Sequence, residues 1–535
     1  MSNTILHAKA TRPPKIRGSM PEENGQSALD KLTFDAIEVD KLFDVLNYAQ
    51  TRVGQACLYR TLATPPTDLK NIQLRQEALL EIDSNPALKT KIDELISEAA
   101  KREKDFYKLL YNNFLGFFGD PKNDLESEGF GYESYQKGTR FWLNLIAGAK
   151  TITPPKSEYL RTLFSQLKAF EKTRVFALMR GPVYCAHNGM ITGQEKHWNT
   201  PAARFRPTLF KPFFLLFTFG ILMALDFFGS LLFDLPSTGS MLTITSTIIF
   251  PLFLIAYFAM VGTYDRDFCI FPLRETFRDS PEVHTNLDVI GKLDELLSLS
   301  QYAQSFGSYM TMPKLYESEK HWLALTQIRN PILAKDNPNY VPNSIELKDS
   351  QLCFITGPNS GGKTAFCKTI TQIQLLAQIG SYVPASEAHL SVADHIHYQI
   401  PGFSSLKETE GRFGTELKRT KAIFLSTTSK SLVILDELSE GTTYQEKLVT
   451  SYNILQGFFR RNNNTILITH NHELVDQFAE EGIGLTKQVE FDEMNPTYRL
   501  IDGISRVSHA DYVAHRVGFS KEDIDRYLQQ PNDKI

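Results

Sequence analysis

The octapeptide GPNSGGKT, Gly357 to Thr364, spaces its glycines, lysine and hydroxyl as a phosphate cradle requires. It follows the apolar run LCFIT and opens the helix-like AFCKTITQIQLLAQIG, so the loop joins a strand to a helix N-terminus. Glycines at 357, 361 and 362 permit the tight approach by which N–H groups from Asn359 through Ser360 to Lys363 curl around a β-phosphate, and the helix dipole adds to the attraction. Pro358 lies between the first glycine and those donors. Lys363 supplies a point charge to the β- and γ-oxygens, and the Thr364 hydroxyl is placed for Mg²⁺; the expected ligands are ATP and Mg²⁺.

Downstream, SLVILDEL, Ser431 to Leu438, reads as an apolar strand ending in two carboxylates. Asp436 at its tip is expected to hold the Mg²⁺ shell and Glu437 to polarise an attacking water. A third run, TILITHNHEL, places His470 at a strand end, either as a γ-phosphate sensor or as a structural histidine.

From about His321 onward the texture alternates short β-rich runs with helical segments, the pattern of an α/β domain with a mostly parallel sheet. Apolar spacing of three and four residues predicts helices from Phe34 to about Leu110, from Arg140 to about Met179 and from Leu287 to Leu315. The 535 residues, 42% hydrophobic, are enough for several domains, each with its own core. A formal net charge of −4 excludes a global basic field for nucleic acid or anionic lipid, so any such contact must be local. Five scattered cysteines without a CxxC pair suggest neither a disulfide framework nor a zinc site. The first 33 residues read as a basic, unstructured tail.

Two apolar runs, 212–233 and 241–262, are each long enough to cross a hydrocarbon layer of about 30 Å. Arg204, Arg206 and Lys211 precede the first, Arg266, Arg274 and Arg278 follow the second, and the connection holds no Lys or Arg. The expectation is a two-helix transmembrane hairpin over 206–264, with both flanks cytoplasmic. Asp226, within the first run, is expected near the outer interface.

Three of these stretches, with their spacing, resemble the ATPase domain of the MutS mismatch-repair family. TGPNSGGKT is similar to that family's TGPNMGGKS, LDELSEGTTY to its DEIGRGTST turn and THNHEL to its THYHEL; RNPIL, VPNSIEL and the tail YRLIDGISRVSHADYVAHRVGFS also match. The likeness is dense over about Trp322 to Tyr527 and thinner over Leu46 to Ile82, which resembles the start of the family's helical lever. The resemblance implies an ABC-type P-loop ATPase that works as a homodimer, with ATP between the P-loop of one subunit and a signature helix of the other. It implies His470 as γ-phosphate sensor and Asn359 as a nucleotide contact. The signature helix falls at GRFGTEL, where Gly411 replaces the family's trans-acting serine and is followed by Arg412; Glu440 replaces an arginine of the turn. No room exists ahead of Phe34 for the mismatch-reading domain, so mismatch specificity is not expected.

The resulting expectation is a helical lever over 34–205 and 265–320, all-α and interrupted by the hairpin, followed by an ATPase domain over 321–535 that ends in dimerisation helices. The hairpin is expected where relatives carry their DNA-gripping clamp. Function is then a membrane-anchored ATPase that binds DNA in repair or recombination. A membrane ATPase acting on a protein client is the alternative, and a transporter-associated ATPase a weaker one.

Overall fold

A computed structural model describes residues 12–21, 27–112, 114–116, 127–128, 131–187, 189–207, 264–348, 351–358, 361–401, 411–438, 443–492, 495–506 and 517–529. These form two compact units. One comprises the described residues of 1–16, 49–57 and 81–297; the other comprises those of 17–48, 58–80 and 298–535.

In the second unit, three short strands are buried at every position: β1 (Leu352–Thr356), β3 (Leu432–Asp436) and β4 (Asn464–Ile468). Their runs LCFIT, LVILD and NTILI lack the polar alternation of a half-exposed strand because both faces of a central parallel sheet are covered. Together with β2 (Ile396–Gln399), β5 (Leu485–Asp492) and β6 (Asn495–Asp502) they form a six-stranded sheet in the order β2-β3-β4-β1-β5-β6. All neighbours are parallel except the β5–β6 hairpin. Helices α1 (Lys363–Gln378), α2 (Gly411–Ser426), α3 (Tyr444–Arg461) and α4 (His472–Glu480) connect them. Phe354, Leu435, Leu467, Leu455, Phe458 and Phe478 share one core. A second, four-stranded sheet orders Lys314–Tyr316, Glu387–Ser391, Leu323–Ile328 and Asn343–Leu347.

The chain's early residues extend the main sheet. Leu29 bridges Ile396 in parallel, and the Ile396 N–H donates to the Ala28 carbonyl at 2.7 Å. Asp30 caps the helix Lys31–Ala36 by accepting the Thr33 N–H at 2.6 Å. Its other oxygen accepts His397 Nδ1 at 3.1 Å, and Ser426 Oγ lies 3.0 Å from His397 Nε2. Burial works to raise the Asp30 pKa, but the bonds from His397 and Thr33 outweigh it and hold the carboxyl below its ordinary value. An Asp–His–Ser chain has the connectivity of a hydrolytic triad, but the two N–H groups that follow Ser426 are already bonded and do not form an oxyanion site. Thr427 N donates to Ile423 O and Thr428 N to Ser431 Oγ, while Ser426 Oγ itself lies 3.0 Å from the Ile423 carbonyl. The three side chains are a clasp between the N-terminal segment, β2 and α2.

His321 is a polar residue deep in this unit. Its Nε2 donates to Gln374 Oε1 at 3.3 Å and its Nδ1 accepts from Asn464 Nδ2 at 3.1 Å. Both bonds suit the neutral ring, and a second ring proton would face the Asn464 amide hydrogens. Burial lowers its pKa to about 4.

The first unit is mainly helical. Pro86–Tyr111 packs with Gly131–Thr151 around Phe106, Phe141 and Trp142, and the Phe170 ring of Glu158–Phe170 lies tilted against Trp142, centroids 4.7 Å apart. The N-terminal turn of Arg52–Ala63 is capped by carboxylates distant in sequence. Asp294 accepts the N–H groups of Gln50 and Thr51, and Glu103 those of Arg52 and Val53.

Two expectations are corrected. The unit is not all-α: Gly189–Thr192, Val183–Ala186 and Ala202–Arg204 form a three-stranded antiparallel sheet. The runs at 212–233 and 241–262, with Asp226, lie outside the described residues, and among the described residues no helix is long and apolar enough to cross a membrane. The longest described helices, Pro86–Tyr111 and Pro281–Phe306, reach 26 residues each but carry charges along their length, which a hydrocarbon layer penalises. The transmembrane hairpin, the bilayer as partner and the membrane localisation with cytoplasmic termini fall with that finding.

The His321 shift sets a pH dependence with a definite sign. The folded ring resists protonation until about pH 4, whereas the unfolded ring takes its proton near 6.5. Its stabilising contribution is therefore complete above pH 6.5 and is lost as pH falls toward 4, by at most ~3 kcal/mol. Thermal denaturation in half-unit pH steps should show His321→Gln with a shallower loss over that window than the parent chain.

Candidate functional site

Sheet order brings the chemistry together. Because β4 lies between β3 and β1, with Asp436 opposite Ile468 and Ile355 opposite Ile468, three parallel strands end side by side. Beyond those ends lie Gly357, Asp436–Glu437 and Thr469–His470, at the carboxyl edge where open α/β sheets place their ligands.

The loop after β1 needs its glycines. Gly357 has φ +131° and Gly362, just ahead of α1, has φ +83°, conformations that side chains other than glycine's rarely tolerate. At Gly361 the constraint is space, since an added Cβ would lie 2.9 Å from both methyls of Val489 on β5. Lys363 is 3% exposed, and its Nζ donates to the carbonyls of Gly357 at 2.6 Å and Pro358 at 2.8 Å. Burial lowers its pKa, with Glu437 and Asp436 opposing that effect. Asn359 and Ser360 lie outside the described residues.

Thr364 Oγ1 donates to Asp436 Oδ2 at 2.9 Å. A hydroxyl and a carboxylate so close are hard oxygen donors of the kind Mg²⁺ takes, and the buried Lys363 ammonium in the same loop supplies the charge a phosphate would pair with. The residues present therefore fit both groups. Glu437 holds a left-handed backbone at φ +61°, a strained conformation for this residue type, and is buried. Its N–H donates to the Ile468 carbonyl, which continues the β3–β4 ladder one residue past Asp436. Its carboxylate is gripped at both oxygens: Oε1 accepts the His470 N–H at 2.9 Å, and Oε2 lies 3.4 Å from both Thr469 Oγ1 and Lys447 Nζ.

The His470 ring approaches Glu437 at 3.8 Å. Its pKa is lowered to about 4, first by burial and then by the charges of Lys363, His472 and Lys447, so at neutral pH the contact is not an ion pair. Gly411 is the first residue of α2; the side chains of Gly411 and Arg412 lie outside the description. Farther along that helix, Arg419 donates to the Tyr398 carbonyl and Thr420 exchanges hydrogen bonds with Gln399, tying α2 to β2.

Several lining residues were missed in the sequence. A cavity of about 430 Å³ opens beside the loop, lined by Tyr340, Asn343, Gly362, Phe366, Tyr498 and Leu500 among others. Asn343 fixes its far wall by donating to the Tyr498 carbonyl at 2.9 Å and accepting the Leu500 N–H at 2.7 Å. The wall comes from a loop before the first motif and a strand after the last, so no single window of sequence contains it. Lys447 was detectable in principle, as a cation in the first turn of a helix where the dipole disfavours one.

A Gly361→Ala chain should melt several degrees lower from overpacking worth ~1–3 kcal/mol, with Val489→Ala restoring much of the loss. Differential scanning calorimetry of the single and double variants checks this; an additive double variant would mean the two residues do not meet.

Residues 353–530 match the family model described as MutS domain V. The chain is 32% identical over 252 residues to endonuclease MutS2 of Shouchella clausii (strain KSM-K16), covering 46% of this chain and 31% of that protein. It is 33% identical over 244 residues to endonuclease MutS2 of Ligilactobacillus salivarius (strain UCC118), covering 45% and 30%. It is 32% identical over 248 residues to the DNA mismatch repair protein MutS of Prochlorococcus marinus (strain MIT 9301), covering 44% and 27%. The chain thus matches less than a third of the length of these curated relatives. The likeness to MutS proteins is thus carried by the domain V match over residues 353–530 and by these relatives over less than half of this chain.

Proposed function

We propose that the α/β unit binds ATP with Mg²⁺ and hydrolyses it, as a dimer, to drive a change of conformation in a protein that engages DNA. The observation that carries this reading is the convergence of Lys363, Thr364, Asp436, Glu437 and His470 on three adjacent strand ends, joined by the Thr364–Asp436 and His470–Glu437 hydrogen bonds. In this reading N–H groups and Lys363 hold the phosphates, and Thr364 with Asp436 holds Mg²⁺, which when bound neutralises charge on the β- and γ-oxygens. Glu437, fixed at both oxygens, takes a proton from water as the water oxygen bonds the γ-phosphorus. The bond to the bridging oxygen breaks with its electron pair leaving on ADP. Neutral His470 hydrogen-bonds the γ-phosphate. The cavity walled by Tyr340 and Tyr498 takes the base, its aromatic faces offering stacking.

DNA comes into the proposal from the name of the mismatch repair relative and from the family resemblance, and the dimer from the resemblance alone. The net charge of −4 gives no general attraction, so contact would be local. Nuclease activity is not carried over from the name of the MutS2 relatives, because the match covers less than a third of them.

Glu437→Gln is expected to retain ATP binding and to lower turnover at least about a hundredfold, the scale of a lost general base. Phosphate release at saturating ATP checks this, and turnover at the parent rate would reject Glu437 as the base. Addition of homoduplex, mismatched or branched DNA to the parent chain should raise turnover, with binding that weakens steeply as salt increases. If none of these has any effect, the client is a protein instead.

A further inference from the structure

Lys447 stands where local electrostatics disfavour it. It is the fourth residue of α3, and its N–H bonds the Thr443 carbonyl at 2.8 Å, so its charge lies at the positive end of the helix dipole. The residue before it follows the usual rule: Glu446 places a carboxylate in the first turn and accepts Thr443 Oγ1–H at 3.0 Å. What holds Lys447 is Glu437, whose Oε2 lies 3.4 Å from Nζ. The contact is long for a charge-assisted hydrogen bond and the lysine side chain is 22% exposed, so the ammonium rests at the carboxylate without being locked there. Its field reaches the reacting end of the site, since it is among the charges that keep His470 neutral.

The two lysines face different parts of the site. Lys363 is buried in the loop and occupied by the Gly357 and Pro358 carbonyls. Lys447 comes from the opposite side, at Glu437, where the attacking water and the terminal phosphate must meet. Without nucleotide, its best partner is the carboxylate; a γ-phosphate brings more negative charge to the same place, and ADP does not.

Resting on the ATPase reading above, we propose that Lys447 reads the γ-phosphate: it leaves Glu437 Oε2 for a terminal phosphate oxygen when ATP is bound, and that exchange frees the carboxylate to accept the water proton. One cation thereby distinguishes ATP from ADP and withholds the base until the substrate is complete. Lys447 adds to the site a charge that none of the sequence motifs contains, supplied in cis by the helix that follows the two carboxylates.

The test uses the full chain and equilibrium binding of Mg²⁺-ATP and Mg²⁺-ADP, read by displacement of a fluorescent ADP, in the Glu437→Gln background where ATP persists. Lys447→Met should weaken ATP binding about tenfold, the loss of one charge-assisted contact, and leave ADP within about twofold. Lys447→Arg, which keeps the charge, should retain most of the preference for ATP. Removing the competing carboxylate should also favour ATP. Glu437→Gln alone is therefore expected to raise the ATP-to-ADP preference over the parent, and Lys447→Met to erase that gain, a coupling that a merely structural lysine would not produce. Equal loss of ATP and ADP, no loss of either, or additive effects of the two substitutions would overturn the proposal. If Glu437→Gln with Lys447 intact binds neither nucleotide, the ATPase reading itself fails, and that result is distinct from a failure of Lys447 alone.

Discussion

The site depends on one constraint, the parallel register that places Ile468 level with both Ile355 and Asp436. That ladder makes three strands stop together, so that Thr364 and Asp436, 72 positions apart, and Glu437 and His470, 33 apart, meet within hydrogen-bonding distance. Shifting one strand by a single residue would turn its side chains to the other face of the sheet. Asp436 would then no longer meet Thr364, and the His470 N–H would no longer reach Glu437. Complete burial of the three strands on both faces makes such a slip costly, because each would carry apolar side chains out of register with the helices that cover them.

Around that constraint the unit is secured by polar contacts of high definition. Asp30, His397 and Ser426 clasp the early chain to the sheet edge, and Lys368 of the loop's own helix pairs with Glu38 at 3.0 Å. Gln372 of the same helix donates to the Ile37 carbonyl. The helix that begins after Gly362 is thus held by residues at the far end of the sequence. In the first unit, Asp294 and Glu103 do comparable work at a helix start, where four backbone N–H groups would otherwise be left without partners. These are long-range contacts, so they stiffen the fold only after the chain has come together.

Charge is balanced locally within the site. Two carboxylates and two ammonium groups surround a neutral imidazole, and each is partly buried, so that removal of any one leaves its partner uncompensated. Glu437 pays for its position with a left-handed backbone, strain of the sort that persists where surrounding contacts over-determine a residue. The ladder bond to Ile468 on one side and the grip on both carboxylate oxygens on the other are those contacts.

The sequence by itself determined the local parts: the strand–loop–helix around Gly357 to Thr364, the acid pair at the end of SLVILDEL, and the histidine at the end of TILITH. Each is legible because its chemistry and its backbone requirement lie within a window of about ten residues. It also misled, where two apolar runs suggested a membrane hairpin that no described helix supports, and where a lever expected to be all-α over 34–205 contains a three-stranded sheet at 183–204. Only the tertiary structure decided that Leu29 extends the sheet, that Tyr340 and Tyr498 face one cavity and that Lys447 rests on Glu437. The first two join segments far apart in the chain, and periodicity carries no information about which distant surfaces meet; Lys447 is near Glu437 in sequence, but which face of α3 looks back at the carboxylate is set only when strand and helix are placed together.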